Sequence, residues 1–187
     1  FDFTTVRQQA DDVLKKIETS DFEMVDLQNA LFIVIERTEN DATEDIRTEL
    51  QAVLDGGHIS LRANPISAVL IEELSVKLAE YDDTRSVFAS QGIQIDWSSV
   101  DEAKTVFSGL ALSIEQARKD TDYIGATETL IKIDLEVPPE SRWKDVITLA
   151  QGAIDVEWNQ RTSTLLNDAQ KYLQTIPLPL EALDDAT

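Results

Sequence analysis

The residues that could support acid–base or metal chemistry are a single histidine, His58, and 36 carboxylates. The chain has no cysteine, which excludes disulfides, thiolate catalysis and cysteine-based zinc sites. A Ser-His-Asp triad would have to use His58, and a di-iron helical bundle needs two Glu-x-x-His motifs. His58 follows Gly56-Gly57 without a diagnostic flank, so we interpret it as a surface histidine in a connecting loop.

The segment from Asp120 to Gly125 imitates the start of a calcium-binding loop. It departs from that pattern because Ile124 stands at position 5 and Ile131 replaces the bidentate glutamate at position 12. Glycine-rich phosphate loops and the Gly-x-Ser-x-Gly pattern are absent from the sequence. Carboxylate pairs such as Asp82-Asp83 are too common in this chain to indicate an active site. An enzyme that uses only Asp and Glu stays an alternative. We therefore predict a non-enzymatic protein with no catalytic residue, no metal site and no cofactor.

The 187-residue chain is strongly acidic, with 36 acidic residues against 16 basic ones and a formal net charge of −20. Nucleic acids and anionic membrane surfaces are bound by clustered Lys and Arg, so we exclude both as partners. We interpret the charge as a solubilising coat, with a basic partner or bound cations as the alternatives. The hydrophobic share of 42% is typical of a folded domain.

Apolar residues recur at every third or fourth position along most of the chain, which indicates helices. The predicted helices cover TTVRQQADDVLKKIETS, a segment that begins at Ser20, Asp41–Asp55, Pro65–Ser90, a segment opened by Ser99 and Glu102, and Arg142–Gln174. Gly56-Gly57 is expected to end the third helix, and GHISLRANP to connect it to the fourth, which Asn64 caps. The pattern predicts an all-α fold, a single antiparallel bundle of about six or seven helices.

A small sheet is the open alternative for three short segments. In ETLIKIDLEV, Ile131, Ile133, Leu135 and Val137 alternate with polar residues, which is typical of a strand. HISL and GIQIDW are shorter runs of the same kind. The sequence leaves open whether residues 130–137 form a strand or the end of a helix.

The run ALFIVIE, residues 30–36, is apolar on more than one helical face. A helix of that kind is usually buried on all sides, so we interpret the run as part of a central core helix. A pocket wall, an interface and a strand are the alternatives.

The chain shows no Gly/Ser-rich linker, so we predict one helical bundle domain over residues 1–176 and an extended or frayed tail over residues 177–187. The chain begins at Phe1, which suggests a removed signal peptide, a preceding anchor or a trimmed chain. The expected location is therefore secreted or extracytoplasmic.

The stretch LIEELSVKLAEYDDTRSVFASQGIQIDWSSVDEAKTVFSGLALSIEQ resembles the middle of the fungal hydrophobic surface-binding protein A family, which includes cell-wall galactomannoproteins. The family pattern is a helix that ends in an aromatic residue and a Gly, a short link, and an amphipathic helix, and Phe88, Gly92, Val100 and Leu110 occupy those places. AQGAIDVEW is similar to an Ala-rich stretch of the same family. The resemblance implies a secreted helical bundle that holds a fatty acid or covers hydrophobic surfaces, although members are rich in Ala, Ser and Thr rather than Asp and Glu.

LAEYDDTRSVF is also similar to later helices in the extracytoplasmic bundles of bacterial chemoreceptors and sensor kinases. That resemblance implies a ligand-sensing module between two membrane spans. Pro177 and Pro179 would interrupt a helix that continues into the membrane.

We predict that the protein binds an apolar or amphipathic small molecule, such as a fatty acid or another lipid, between its helices. The predicted pocket residues are Leu31, Phe32, Ile35, Leu70, Leu74, Phe107 and Leu110. The alternative is an extracytoplasmic sensor or protein-interaction module that dimerises through an amphipathic face and has a filled core. The sequence does not fix the ligand or the oligomeric state.

Overall fold

The computed structural model describes residues 3–18 and 25–175, and these fold into seven α-helices. The helices are α1 (Phe3–Glu18), α2 (Val25–Ala63), α3 (Ala68–Ala79), α4 (Tyr81–Ser90), α5 (Ser98–Arg118), α6 (Tyr123–Glu136) and α7 (Trp143–Thr175). Within the described ranges there is no strand. The predicted all-α class and the predicted number of helices are confirmed, and the predicted tail, residues 177–187, lies outside the described residues.

The main core forms where the last part of α2 packs with α3, α5, α6 and α7. The largest fully buried hydrophobic side chains are Leu61, Ile71, Leu78, Phe107, Leu110, Leu130, Trp143, Ile147 and Ile154. Helix α5 is central because it contacts each of these four helices and buries side chains at a spacing of three or four residues from Val100 to Ala117. Burial of an aliphatic side chain of this size contributes about 1.5–3 kcal/mol.

Helix α2 is a single helix that runs through Gly56-Gly57, so the predicted stop and the predicted connector are both wrong. Two helical glycines cost roughly 1 kcal/mol each relative to alanine. Continuing the helix buries Leu61 completely, which offsets that cost. Gly57 itself is buried because α3 approaches α2 closely at this point, where a Cβ on Gly57 would lie 2.9 Å from Cδ2 of Leu74.

The predicted helix over residues 65–90 is two helices, α3 and α4, separated at Glu80. The N-cap of α3 is Ser67 rather than Asn64, and the Ser67 hydroxyl accepts a hydrogen bond from the backbone N–H of Leu70 at 3.4 Å. Helix α4 is followed by Gly92, whose φ of +76° is a left-handed conformation that favours glycine. Helix α4 thus ends at Ser90 as predicted, whereas α3 begins three residues later than predicted.

The start of α5 also differs from the predicted capping box of Ser99 and Glu102. The helix begins at Ser98, whose backbone N–H donates to Oδ1 of Asp96 at 2.9 Å. Glu102 instead accepts a hydrogen bond from the hydroxyl of Ser141, which precedes α7. The side chain predicted to cap α5 therefore links two distant parts of the chain.

The alternating segment ETLIKIDLEV lies mostly in α6, so its strand interpretation is wrong. Asp122 caps this helix, with its Oδ1 accepting from the backbone N–H of Gly125 at 2.9 Å. Leu130 and Ile133 are buried, whereas Leu135 is exposed, which is a helical distribution rather than an alternating one. HISL lies within α2, and the residues of GIQIDW form a connection before α5.

Helix α1 packs antiparallel against the first half of α2, and we call α1 with residues 28–48 of α2 the hairpin. Ala10 and Leu14 are buried on the inner face of α1, and Arg7 pairs with Glu39 across the two helices. Phe32 and Ile33 nevertheless have exposures of 59% and 64%, so the core interpretation of ALFIVIE is wrong. The physical reason is that one neighbouring helix can cover only one face of α2.

Candidate interaction surfaces

The seven predicted pocket residues do not surround one cavity. Leu74, Phe107 and Leu110 are buried in the main core, and Leu70 packs against it half-buried. Leu31, Phe32 and Ile35 belong to the hairpin, and Phe32 is separated from Leu50, where α2 enters the core, by about 27 Å of helix. The predicted wall is therefore split between two regions, and the ligand-binding role of these residues stays a prediction.

The second half of α7 extends beyond the core. Every residue from Asn159 to Thr175 is exposed, so no described part of the chain covers this segment, which we call the α7 arm. It spans about 25 Å. Isolated helices of this length are marginal in water, and those rich in Asn, Ser and Thr are weaker still. The arm thus has the properties of a helix that gains stability from a partner.

One face of the α7 arm is apolar. At 100° per residue, the apolar side chains fall within about 120° of the helix circumference. They are Trp158, at the base of the arm, then Leu165, Leu166, Ala169, Tyr172 and Leu173, and we call them the apolar stripe. Leu166 and Leu173 are 60% and 66% exposed. Only Thr162 interrupts the stripe, and the opposite face carries polar residues such as Gln160 and Asn167.

The base of the arm is fixed to the rest of the molecule by two contacts. The indole of Trp158 stacks on the ring of Tyr123, with centroids 5.9 Å apart and an angle of 11° between the planes. The Arg118 guanidinium donates to Glu157 at 2.5 Å and to the carbonyl of Ile66 at 3.1 Å. The bond to Glu157 raises the pKa of Arg118 above its ordinary value. These contacts set the direction in which the arm leaves the core.

Apolar side chains are also exposed on the hairpin. They are Phe32, Ile33 and Val34 of α2 and Val13 of α1. Phe32, Ile33 and Val34 are consecutive and therefore point about 100° apart around the helix. Ile33 lies on the side of α2 away from α1, because the buried Thr38 lies on the other side. These side chains therefore do not form one apolar surface.

The hairpin and the α7 arm lie toward opposite ends of α5. The base of the hairpin packs where Ala42 meets Phe88, beside Ile95 just before α5 begins. The base of the arm is held by Arg118, the last residue of α5. Helix α5 is about 30 Å long. The hairpin and the arm therefore extend from opposite ends of the core and do not form one site.

The arm and the hairpin differ in charge. The α7 arm carries Arg161 and Lys171 against Asp168, a net charge of +1. From Phe32 to Arg47, α2 carries five acids and two bases, a net charge of −3. In a chain of net charge −20 the arm is thus an exception, and its sign is opposite to that of the hairpin.

A shallow cleft of about 540 Å³ lies between α5 and α6. Its floor includes Leu112 and Ile133, and Gly109 allows the two helices to approach closely, because a Cβ there would lie 2.8 Å from Ile133. Lys104 and Lys132 stand at its rim, where they pair with Asp82 at 2.5 Å and with Glu136 at 3.9 Å. None of the seven predicted pocket residues lines this cleft.

His58 lies in α2, not in a loop, and its ring joins α2 to the start of α7. Its Nε2 lies 3.0 Å from both the carbonyl oxygen of Arg142 and Oδ1 of Asp145. Because both partners are acceptors, Nε2 carries a proton and donates. The ring also meets the edge of Trp143, with centroids 5.6 Å apart. His58 therefore serves as a structural link between α2 and α7.

The chain matches no protein-family model, and no curated protein or solved structure is significantly similar to it. The resemblances to fungal surface-binding proteins and to bacterial sensor bundles therefore stay predictions. No helix among the described residues is long and apolar enough to cross a membrane.

The sequence predicts the helical periodicity of α7 but not that the second half of this helix is exposed. The residues of the apolar stripe recur at the same spacing as the core residues Val146 and Ile154 on the same helix. Spacing alone cannot separate a core face from an interface face. The local composition could have revealed the arm, because most residues around the stripe after Trp158 are polar and uncharged.

Proposed function

We propose that the protein is a non-enzymatic protein-interaction module and that the α7 arm is its binding element. The observation that supports this proposal is the apolar stripe, which is exposed along the whole arm. An amphipathic helix of this kind binds by laying its apolar face on an apolar surface of a partner. Leucine side chains that become buried in this way each contribute about 1.5–3 kcal/mol.

The charge of the arm favours a protein partner over a membrane surface. Helices that lie on membranes are rich in Lys and Arg along their polar face. The arm has one of each, and Asp168 lies between them. The rest of the chain is acidic and is repelled by anionic lipids. A secreted or extracytoplasmic location remains part of the proposal on the sequence resemblance alone.

Photo-crosslinking tests this proposal. A photoreactive amino acid replaces Leu166, on the apolar stripe, and in a matched variant replaces the adjacent Asn167, on the polar face. Irradiation in the producing cell is expected to give a protein adduct at position 166 and none at position 167. A lipid adduct, or no adduct, at position 166 would contradict the proposal.

A carrier of an anionic amphiphile, such as a fatty acid, is the second candidate. The observation that favours it is the cleft between α5 and α6, which combines an apolar floor with Lys104 and Lys132. Its volume is within the range of small-molecule sites, roughly 300–1,000 Å³. Both lysines already pair with acids of the chain, Lys104 with Asp82 and Lys132 with Glu136. An anionic ligand would have to compete with these carboxylates.

Native mass spectrometry, followed by organic extraction, tests the carrier. A stoichiometric fatty acid that is lost in Leu112→Glu, but retained in Leu149→Glu, would support it. Leu112 lines the cleft, whereas Leu149 is an exposed leucine of α7 that does not. A purified protein with only its own chain mass would count against the carrier.

A further inference from the structure

We infer that the partner of the α7 arm is a single amphipathic helix of another protein, which lies on the apolar stripe in line with α6 and carries basic residues at the end that meets α6. This inference rests on the proposed function, and it names the kind of partner and where that partner lies. The observation behind it is that the apolar stripe continues the interface between α6 and α7.

The apolar stripe lies on the same side of α7 as α6. Asp134, near the end of α6, pairs with Lys144 near the start of α7 at 3.2 Å. Tyr123, at the start of α6, stacks on Trp158, so the two helices run antiparallel. At 100° per residue, Lys144 and Trp158 lie about 40° apart around α7, and the centre of the stripe lies between them. Beyond Trp158, no helix among the described residues covers this side of α7, because α6 begins at Tyr123.

The polar residues beside the stripe limit the partner to one helix. Helix α5 packs on a different side of α7, where Glu157 binds Arg118. The arm residues that lie within about 40° of Glu157 around the helix are Arg161, Thr164 and Asp168, all of them polar. A partner that continued both α5 and α6 would need apolar side chains on both sides of the arm. The arm offers them only in line with α6, so a single helix covers the stripe.

The length of the stripe sets the length of the partner helix. From Trp158 to Leu173 the stripe spans about 23 Å, which is about four helical turns. A helix of this length packs on the stripe by presenting apolar side chains at every third or fourth position. One end of that helix meets the turn between α5 and α6, residues 119–122, because α6 begins where the stripe begins.

The charges at this end favour a basic helix. The turn exposes Asp120 and Asp122, and its Lys119 already pairs with Glu115 at 2.8 Å. On the arm, Lys171 lies about 160° from the centre of the stripe and so faces away from the partner. The bound helix therefore meets acidic groups, in a chain of net charge −20. A basic helix is attracted to this site, whereas a second copy of the acidic chain is repelled.

Binding of synthetic model helices is the first measurement. The probe is a fluorescent peptide of about 15 residues, with leucine on one face and lysine on the other, and its counterpart carries glutamate in place of lysine. Fluorescence anisotropy is expected to show binding of the lysine helix only. Leu166→Ser is expected to weaken that binding by roughly 10- to 100-fold, because the burial of a leucine is lost.

Two exposed residues of α7 provide matched controls. Asn167→Ser alters the polar face of the arm, and Leu149→Ser removes an exposed leucine on the side of α7 away from the stripe. Both variants are expected to bind the lysine helix like the unaltered protein. Circular dichroism of each variant confirms that it remains helical.

Photo-crosslinking to the same lysine helix locates it on the protein. A photoreactive amino acid in place of Leu166 is expected to capture the helix, because position 166 lies on the stripe. One in place of Asp120 is also expected to capture it, because the end of the helix reaches the turn between α5 and α6. One in place of Thr164, which lies in line with α5, is expected to capture none.

Five results would overturn the inference. They are no binding of the lysine helix, equal binding of the two model helices, equal binding to Leu166→Ser and the unaltered protein, capture at position 164 but not at position 120, and an adduct between two copies of the chain. If the lysine helix does not bind while the crosslinker at position 166 captures a protein in the producing cell, the inference fails and the proposed function stands. If that crosslinker captures no protein, the proposed function fails as well.

Discussion

The Nε2 atom of His58 lies 3.0 Å from Oδ1 of Asp145, which ties the last turns of α2 to the first turn of α7. The same carboxylate receives Nε of Arg62 at 3.0 Å, and Arg142 pairs with Asp55 beside it. Trp143 also forms T-shaped ring contacts with His58 and with Phe107. The group forms a polar cover over one side of the core.

Replacing His58 with leucine is expected to lower the free energy of unfolding by about 1–2 kcal/mol, because the donor to two acceptors is lost. His58→Gln is expected to lose less, since a glutamine amide can donate from a similar position. Chemical denaturation measures both changes. In an Asp145→Ala background the His58→Leu effect is expected to shrink, and an unchanged effect there would mean that the histidine acts through the Arg142 carbonyl and Trp143 and not through Asp145.

Two adjacent glycines of α2 are expected to respond oppositely to alanine. Gly56 is exposed and a Cβ there meets nothing within 4 Å, so Gly56→Ala should raise the free energy of unfolding by about 1 kcal/mol. At Gly57 the added Cβ would lie 2.9 Å from Cδ2 and 3.2 Å from Cδ1 of Leu74, a buried side chain. Displacing it costs about 1–3 kcal/mol, which cancels or exceeds the gain in helix propensity.

Thermal and urea denaturation compare the two glycine variants directly. In a Leu74→Ala background the obstacle is removed, so Gly57→Ala is expected to become stabilising like Gly56→Ala. Equal responses of the two glycines in the unaltered protein would show that α3 does not approach α2 as closely as 2.9 Å implies.

The glycine pair also shows what the sequence could predict. Helices were identified from periodicity, and this succeeded for α1, α5 and α7 because each has a regular apolar face. Gly56-Gly57 looked like a stop signal, since local preference favours ending a helix at such a pair. The preference was outweighed by the complete burial of Leu61 and by the close approach of α3 at Leu74, and tertiary packing of this kind leaves no local signal.

The candidate surfaces were less predictable than the fold. An apolar run indicates that a helix face is buried, but it does not show which helix or partner covers that face. The run ALFIVIE predicts a core helix, yet Ile33 is exposed, and the periodicity of α7 predicts a helix but does not show that Leu166 is exposed. The sequence could not show that α1 covers only one face of α2 or that α7 extends beyond the core. Both features depend on the lengths and positions of the neighbouring helices.

Acid titration is expected to reveal the link between Asp55 and α7. Hydrogen bonds from Gln51, at 2.7 Å, and from Arg142 hold the pKa of Asp55 below its ordinary value of 3.8. A lowered pKa means that the ionised form is favoured in the folded state. Its contribution to stability is therefore complete above the unfolded-state pKa and is lost as pH falls through the lower, folded-state pKa.

The Arg142→Gln variant tests this relationship. It is expected to raise the pKa of Asp55 toward 3.8, as followed by NMR of the side-chain carboxyl carbon. Asp96 is the internal control, because hydrogen bonds from Ser98 lower its pKa and these are untouched by the substitution. A pKa of Asp55 that does not move would mean that Gln51 alone sets it.

The α7 arm is expected to contribute little to the stability of its own chain. Leu166→Ala, measured at a concentration where the protein is monomeric, should change the free energy of unfolding by less than about 0.5 kcal/mol. Leu130→Ala, which removes a fully buried leucine of α6, should lower it by about 2–5 kcal/mol.

Hydrogen exchange of the arm amides should be fast in the monomer and should slow when the arm is bound, because a partner then holds the helix. A large loss of stability in the monomeric Leu166→Ala protein would place the stripe against the chain itself, and the arm would then be part of the core and not a binding element.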